Sequence, residues 1–251
     1  MKPTLFLSCA VVLVLASSIA VIAGPLTPPT GPITSTGRFG PRIDINTLAG
    51  DANSLHRITQ PGSYYLSANI TGVSGTSAIE IATSNVTIDL NGFQLIGVAG
   101  SLDGITSSGV TDQVRIRSGV IRNWGGRGVF VNGGLATVEG LTLRSNGSYA
   151  IQVVSIGAIV KDCVVSQNGQ SVAGTGGIDV DNDALIMNCA LNGNAGTGLQ
   201  TGFGCVIADN VIAVHTQGVN AGVESCLTGN AARGNGANTT VNCTVANNRG
   251  L

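Results

Sequence analysis

Val160-Lys161-Asp162-Cys163-Val164-Val165-Ser166-Gln167-Asn168 is the stretch on which the reading of the fold turns. It aligns without gaps with Val138-Glu139-Gly140-Leu141-Thr142-Leu143-Arg144-Ser145-Asn146 before it and with Ile186-Met187-Asn188-Cys189-Ala190-Leu191-Asn192-Gly193-Asn194 after it. Ile207 to Val214 continues the series with Asn210 in the Cys163 place. Cys226 and Cys243 then read as filling that place in the last two units, which this register makes 16 and 17 residues long.

A second, shorter strand pattern precedes each copy. It runs Ala78-Ile79-Glu80-Ile81, Gly104-Ile105, Gly128-Val129-Phe130-Val131, Ala150-Ile151-Gln152-Val153 and Gly177-Ile178-Asp179-Val180, with Gly198-Leu199 and Gly218-Val219 as weaker members. The Ile79 equivalents are spaced 26, 24, 22, 27, 21 and 20 residues apart. Short runs that alternate apolar and polar residues between Gly- and Asn-rich turns are strand signals, and a period in this range is that of a solenoid. One unit cannot bury its apolar side chains alone, so it stacks on its neighbours, about 4.8 Å apart for parallel strands. Val160, Ile186 and Ile207 then form one interior file, Val165, Leu191 and Ile212 another, and Asn146, Asn168 and Asn194 an asparagine ladder.

The motif also fits a leucine-rich repeat, but the return path from Gly169 to Gly177 is Gly-rich and leads into another strand instead of a helix. Unequal coils rule out the strict six-residue period of a left-handed β-helix, and crossovers between parallel strands are right-handed. The expected fold is an all-β, right-handed parallel β-helix of seven to eight coils with an N-terminal capping segment.

Composition agrees with that architecture. The 251 residues include 37 Gly, with only 10% charged and 4% aromatic, which suits short strands and tight turns and is far from the Ala, Leu, Glu and Lys content of long helices. A net charge of −1, with no basic excess or aromatic platform, argues against a nucleic-acid partner. Met1 to Ala23, with Lys2 ahead of the apolar Leu5–Ala20 run, reads as a secretory signal cut before Gly24. No other apolar run approaches membrane-spanning length, so the mature chain is expected to have no transmembrane segment and to be secreted or at the cell surface. Residues 24–41 hold five of the seven prolines and read as a linker, 42–77 as cap and first strands, and 78–251 as the β-helix.

Val86-Thr87-Ile88-Asp89-Leu90-Asn91-Gly92-Phe93-Gln94-Leu95 resembles the opening coil of the pectin-lyase-like β-helix superfamily, and Gly62-Ser63-Tyr64-Tyr65-Leu66 resembles the capping segment of exported bacterial β-helix-repeat proteins. The resemblance covers about residues 42–251. It implies the fold but no single activity, because the superfamily spans lyases, hydrolases, epimerases and adhesins. The Asn-x-Asp, Asp-Asp, Gly-His-Gly and Arg-x-Lys motifs of its polygalacturonase branch are absent from this sequence.

Candidate functional residues follow from the register. From 115 to 144 five Arg face Glu139 alone, a net of +4, and from 162 to 232 six acids stand without Lys or Arg, a net of −6. Arg117, Glu139 and Lys161 are expected to stack with alternating sign, and Arg122 and Arg144 with like sign. Arg115, Arg117, Arg122 and Arg144 are therefore candidate contacts for an acidic sugar, with Gln152 and Gln200 on a flat face that also holds Thr106, Phe130 and Asp179. Asp179 and Asp181 lie at i and i+2 of one strand, about 6.7 Å apart, which makes them a candidate carboxylate pair for glycoside hydrolysis. With Asp183 they are candidate calcium ligands; the plainer reading is a solvated turn. His215 stands in a ladder position and His56 before the first coil, neither beside a nucleophile. Cys163–Cys189 and Cys226–Cys243 could bridge as stacked neighbours, or serve as buried apolar thiols, which the odd Cys205 favours. The functional expectation is an exported interaction or structural module that binds polysaccharide and associates end to end through an exposed coil edge. The alternative is a polysaccharide lyase or glycoside hydrolase.

Overall fold

The computed structural model describes residues 41–240 and 242–251. The signal reading of Met1–Ala23 and nearly all of the proline-rich segment lie outside the described residues. Each coil contributes one strand to a nine-strand parallel sheet that runs from Ser54–Ile58 through Ser77–Ile81, Ile105–Ser107, Val129–Asn132, Ile151–Val154, Ile178–Val180, Thr197–Thr201 and Gln217–Ala221 to Ala237–Thr240. A second, 16-strand sheet has two limbs. The leading limb includes Val86–Asp89, Ile159–Lys161 and Leu185–Met187, the trailing limb Gln94–Ile96, Val164–Ser166 and Ala190–Asn192; Arg115–Arg122 and Thr137–Arg144 span both. The chain is thus a right-handed parallel β-helix. Nine rungs stack where the sequence suggested seven to eight coils, because Ser54–Ile58 and Ala237–Thr240, which lack the Gly–apolar signature, also join. Among the described residues the one helix is the 3-10 turn Ile45–Thr47, and no helix is long and apolar enough to cross a membrane.

Every second strand residue faces inward. Three files meet in the core, exemplified by Ile105, Val129 and Ile151 from the nine-strand sheet, Val138, Val160 and Ile186 from the leading limb, and Leu143, Val165 and Leu191 from the trailing limb; all nine are buried. Each such side chain contributes about 1.5–3 kcal/mol on burial. The inward rows expected from the sequence are the ones observed, through Ile207 and Ile212.

Corners between strands share one conformation. A residue in the left-handed region turns the chain, and the next residue points inward. Asp162, Asn188 and Asp209 hold φ of 56°, 55° and 57° ahead of Cys163, Cys189 and Asn210; Ser145 and Gln167 hold 56° and 57° ahead of Asn146 and Asn168. A corner breaks the strand ladder, and where its inward residue is asparagine the side chain supplies the missing hydrogen bonds. Asn168 shows how. Its Nδ2 donates to Leu143 O (3.2 Å) and Asn194 Oδ1 (2.9 Å), while its Oδ1 accepts from the N–H (3.1 Å) and Nδ2 (2.9 Å) of Asn146. The ladder begins where Trp124 N–H donates to Asn146 Oδ1 and continues through Asn194 to His215 and Asn235. Gly128, at the head of its strand, is required by the closeness of this ladder: a Cβ there would lie 2.6 Å from Ala150 O and 3.0 Å from Asn146 Nδ2.

A second amide ladder sits between the two limbs. Cys189 N–H donates to Asn210 Oδ1 (2.9 Å), Asn210 Nδ2 to Asn230 Oδ1 (3.0 Å), and Asn230 Nδ2 to Asn248 Oδ1 (2.9 Å). This corrects the register of the last coils. Asn230 and Asn248, 20 and 18 residues beyond their predecessors, occupy the Cys163 place instead of Cys226 and Cys243. Cys226 stacks on Val206 in an outward file. Cys243 packs against the core in the file of Cys205 and Ser225. The two are therefore not stacked neighbours. Cys163 and Cys189 are, and both thiols are buried and unbridged. Their mutual hydrogen bond, with burial second, pushes the Cys163 thiol up.

Two consequences are measurable. Asn168→Ala leaves Leu143 O and Asn146 N–H, buried backbone groups of the preceding coil, without their side-chain partner, at about 1–3 kcal/mol each, so urea unfolding is expected to show a larger loss than for Asn248→Ala at the last rung, where the site is only half-buried. Val214 is β-branched, exposed and held at φ 60°, where the stacked Gly193 and Gly234 are glycine. Val214→Asn relieves a left-handed cost of about 1–2 kcal/mol and is expected to raise the melting temperature.

Candidate functional site

The outward file of the nine-strand sheet is continuous: Arg57, Glu80, Thr106, Phe130, Gln152, Asp179, Gln200 and Asn220 stand on successive rungs. Parallel pairing places these side chains one above another, and the polar ones bond along the axis. The Arg127 guanidinium lies over the Phe130 ring, 3.8 Å from its centre. Its Nη1 donates to Gln152 Oε1 (2.9 Å), and Gln152 Nε2 in turn donates to Asp179 Oδ2 (2.8 Å). On the other side Arg127 Nη2 pairs with Asp103 at 3.1 Å, and the Arg127 backbone N–H donates to Asp103 Oδ1 at 2.6 Å. Glu80, buried, pairs with Arg57 at 3.1 Å.

Two clefts flank this chain of contacts. One, of about 520 Å³, is lined by Glu80, Asp103, Thr106 and Arg127 among Ser and Gly residues, with Asn53 and Leu102. The other, of about 290 Å³, is lined by Asp179, Asp181, Gln200 and Thr201 with Val153 and Val154. Burial pushes the Asp179 carboxyl above the ordinary aspartate value; the Gln152 bond opposes the rise and the Asp181 charge adds to it. Burial, with the charge of Asp179 second, likewise raises the Tyr149 hydroxyl.

The candidate ligand-binding residues do not form one site. Gln152 and Gln200 share the nine-strand file with Asp179 between them. Arg115 and Arg117 stand on the leading limb and Arg122 and Arg144 on the trailing limb. Arg117, Glu139 and Lys161 stack as the alternation required. Their ion pairs, however, reach further: Arg117 bonds Asp89 (3.0 Å), while Glu139 is shared by Lys161 (3.2 Å) and Arg115. Arg122 above Arg144 donates from Nε to Gln94 Oε1 (3.0 Å). Asp179 and Asp181 face one cleft, while Asp183 is a left-handed corner residue beyond them. Among the described residues no group of three or more His, Cys, Asp or Glu side chains is placed to hold a metal ion.

Asp103 and Arg127 were not singled out from the sequence as a pair. They precede their strands, at turn positions where periodicity carries no signal. The same register that stacks Ile105 on Val129 brings them together, and extending it two residues upstream would have shown it.

No protein-family model matches the chain, and neither a curated protein nor a solved structure shows significant similarity to it.

Neither histidine lines either of these two clefts. His56 Nδ1 bonds Leu48 O at 2.8 Å, on the first rung of the nine-strand sheet. His215 is buried in the asparagine ladder, where its Nδ1 accepts from Asn194 N–H (3.2 Å) and its Nε2 has no partner. Burial lowers its pKa, the backbone bonds only partly opposing this. Below about pH 6.5, the ordinary histidine value, the unfolded chain binds a proton that the folded ring refuses. Stability is therefore expected to fall as pH drops through and below that value, and His215→Asn is expected to remove this part of the pH dependence in urea titrations.

Proposed function

We propose that the protein is an exported interaction module of the pectin-lyase-like kind that binds an extended polysaccharide along its nine-strand face. The carrying observation is the bonded series Asp103–Arg127–Gln152–Asp179, which crosses four successive coils with Phe130 beneath the guanidinium. Rungs about 4.8 Å apart repeat at close to the length of one sugar residue, so amide, carboxylate and guanidinium groups recur at a spacing a linear glycan can follow. Arg127 uses only part of its five-donor fork on Asp103 and Gln152 and keeps donors for sugar hydroxyls. The leader-like Met1–Ala23 and a surface rich in Asn, Ser and Thr support a location outside the cell. Binding is favoured over catalysis because Glu80 and Asp103, the acids of the larger cleft, are both committed to arginines.

One observation favours a second reading, a glycoside hydrolase. Asp179 combines a raised pKa with a cleft shared by Asp181, the environment of a general acid beside a second carboxylate. One experiment addresses both. Chain lacking residues 1–23 is titrated with acidic and neutral polysaccharides, with and without Ca²⁺, and assayed for new reducing ends and unsaturated products. Saturable binding without product, weakened about tenfold or more by Arg127→Ala and Gln152→Ala, is the expected result. Product release abolished by Asp179→Asn would establish the hydrolase instead, and absence of binding across the panel would sink the module reading.

A further inference from the structure

The leading limb carries a different cleft, of about 400 Å³, lined by Arg42, Ser63, Thr87, Arg115 and Arg117. Its shape follows from register. Ser63, Thr87 and Arg115 stand in one outward file on successive coils, and Arg42 precedes Ile43, which pairs with Tyr64 beside Ser63. Two short hydroxyl side chains thus lie between two long cationic ones, which leaves a notch. Arg117, two residues along the strand, closes its side.

The charges around the notch do not cancel. Asp89 is shared by Arg42 (3.2 Å) and Arg117 (3.0 Å), and Glu139 by Arg115 and Lys161. Four cations therefore stand against two carboxylates, and neither carboxylate is among the lining residues. Arg42 is steadied by the Tyr65 ring, 4.9 Å beneath its guanidinium. Arg117 Nε is buried and has no hydrogen-bond partner, the kind of orphan donor that an acceptor at the site would satisfy.

We propose that this notch binds a tetrahedral oxoanion, a sulfate or phosphate group. Three guanidinium groups approach from both ends and one side. A planar carboxylate offers two oxygens, whereas a tetrahedral oxoanion offers enough to meet all three and the two hydroxyls. The site is independent of the polysaccharide reading, because it stands on another sheet.

Calorimetric titration with inorganic sulfate at constant ionic strength, with sodium chloride as the matched control, tests it. The expected result is one saturable sulfate per chain. Arg115→Gln removes one wall of the notch, and Thr87→Glu places a carboxylate in its floor without touching an ion pair. Each is expected to weaken binding at least tenfold while its melting temperature stays close to the parent's, and Arg144→Gln on the trailing limb is expected to change it less than twofold. Sulfate heats no larger than chloride, or an affinity unchanged in both notch variants, would overturn the proposal. A sulfated oligosaccharide and its desulfated counterpart distinguish the sources: tighter binding that disappears on desulfation marks a glycan ester, equal affinity with inorganic sulfate a free anion.

Discussion

Side-chain amides stacked coil upon coil are the interaction on which the rest of this molecule depends. A β-helix gains its sheets almost for nothing once coils are in register, but at each corner the strand ladder stops. Backbone groups there are buried and need partners. Asn146, Asn168 and Asn194 at one corner, and Asn210, Asn230 and Asn248 at another, supply them by bonding along the axis to the next amide and back to a carbonyl of the preceding coil. The same bonds fix register, since a slip of one residue would bury a strand's polar face. Everything else, including the placement of each outward side chain, follows from that registration.

Thiol and amide share the second corner, thiol at Cys163 and Cys189 and amide from Asn210 onward. Cys163 and Cys189 send their Sγ toward carbonyls of their own coil, at 3.2 and 3.3 Å, and apart from the bond between them act as small fillers. From Asn210 onward the same place holds a strong donor and acceptor. Where thiol gives way to amide, Cys189 N–H is met by Asn210 Oδ1, so the polar ladder begins without an unsatisfied group.

Much of the fold was legible in the sequence because its signals are periodic. Val160, Val165 and Asn168 recur at fixed offsets, and those offsets alone define two core files and a ladder. The last two coils were misread for a physical reason. Cysteine is not the corner marker: Leu141, Cys163, Cys189 and Asn210 all stand at that corner as buried inward residues, Asn230 and Asn248 continue the file, and Cys226 faces outward. The site was less legible. Charges counted along the chain gave a basic block at 115–144, but Arg117 and Arg127 are paired with Asp89 and Asp103 from the preceding coil, and the limbs turn Arg115 and Arg144 to different strands. A linear count cannot see either effect. The Gln152–Asp179 contact, by contrast, was implicit in the pattern, because both residues follow the apolar head of their strand.

The direction of the amide bonds has a consequence for the rod as a whole. In both ladders, wherever one asparagine bonds its side chain to the next, the Nδ2 points to the Oδ1 of the following coil. Aligned in this way the amide dipoles add and polarise one another, which makes the interior a one-way rail whose two termini are electrically unlike. A coil added to the rod must match that polarity, so the lattice of amides admits growth by repetition of the unit in its own sense and rejects a unit laid down head to head.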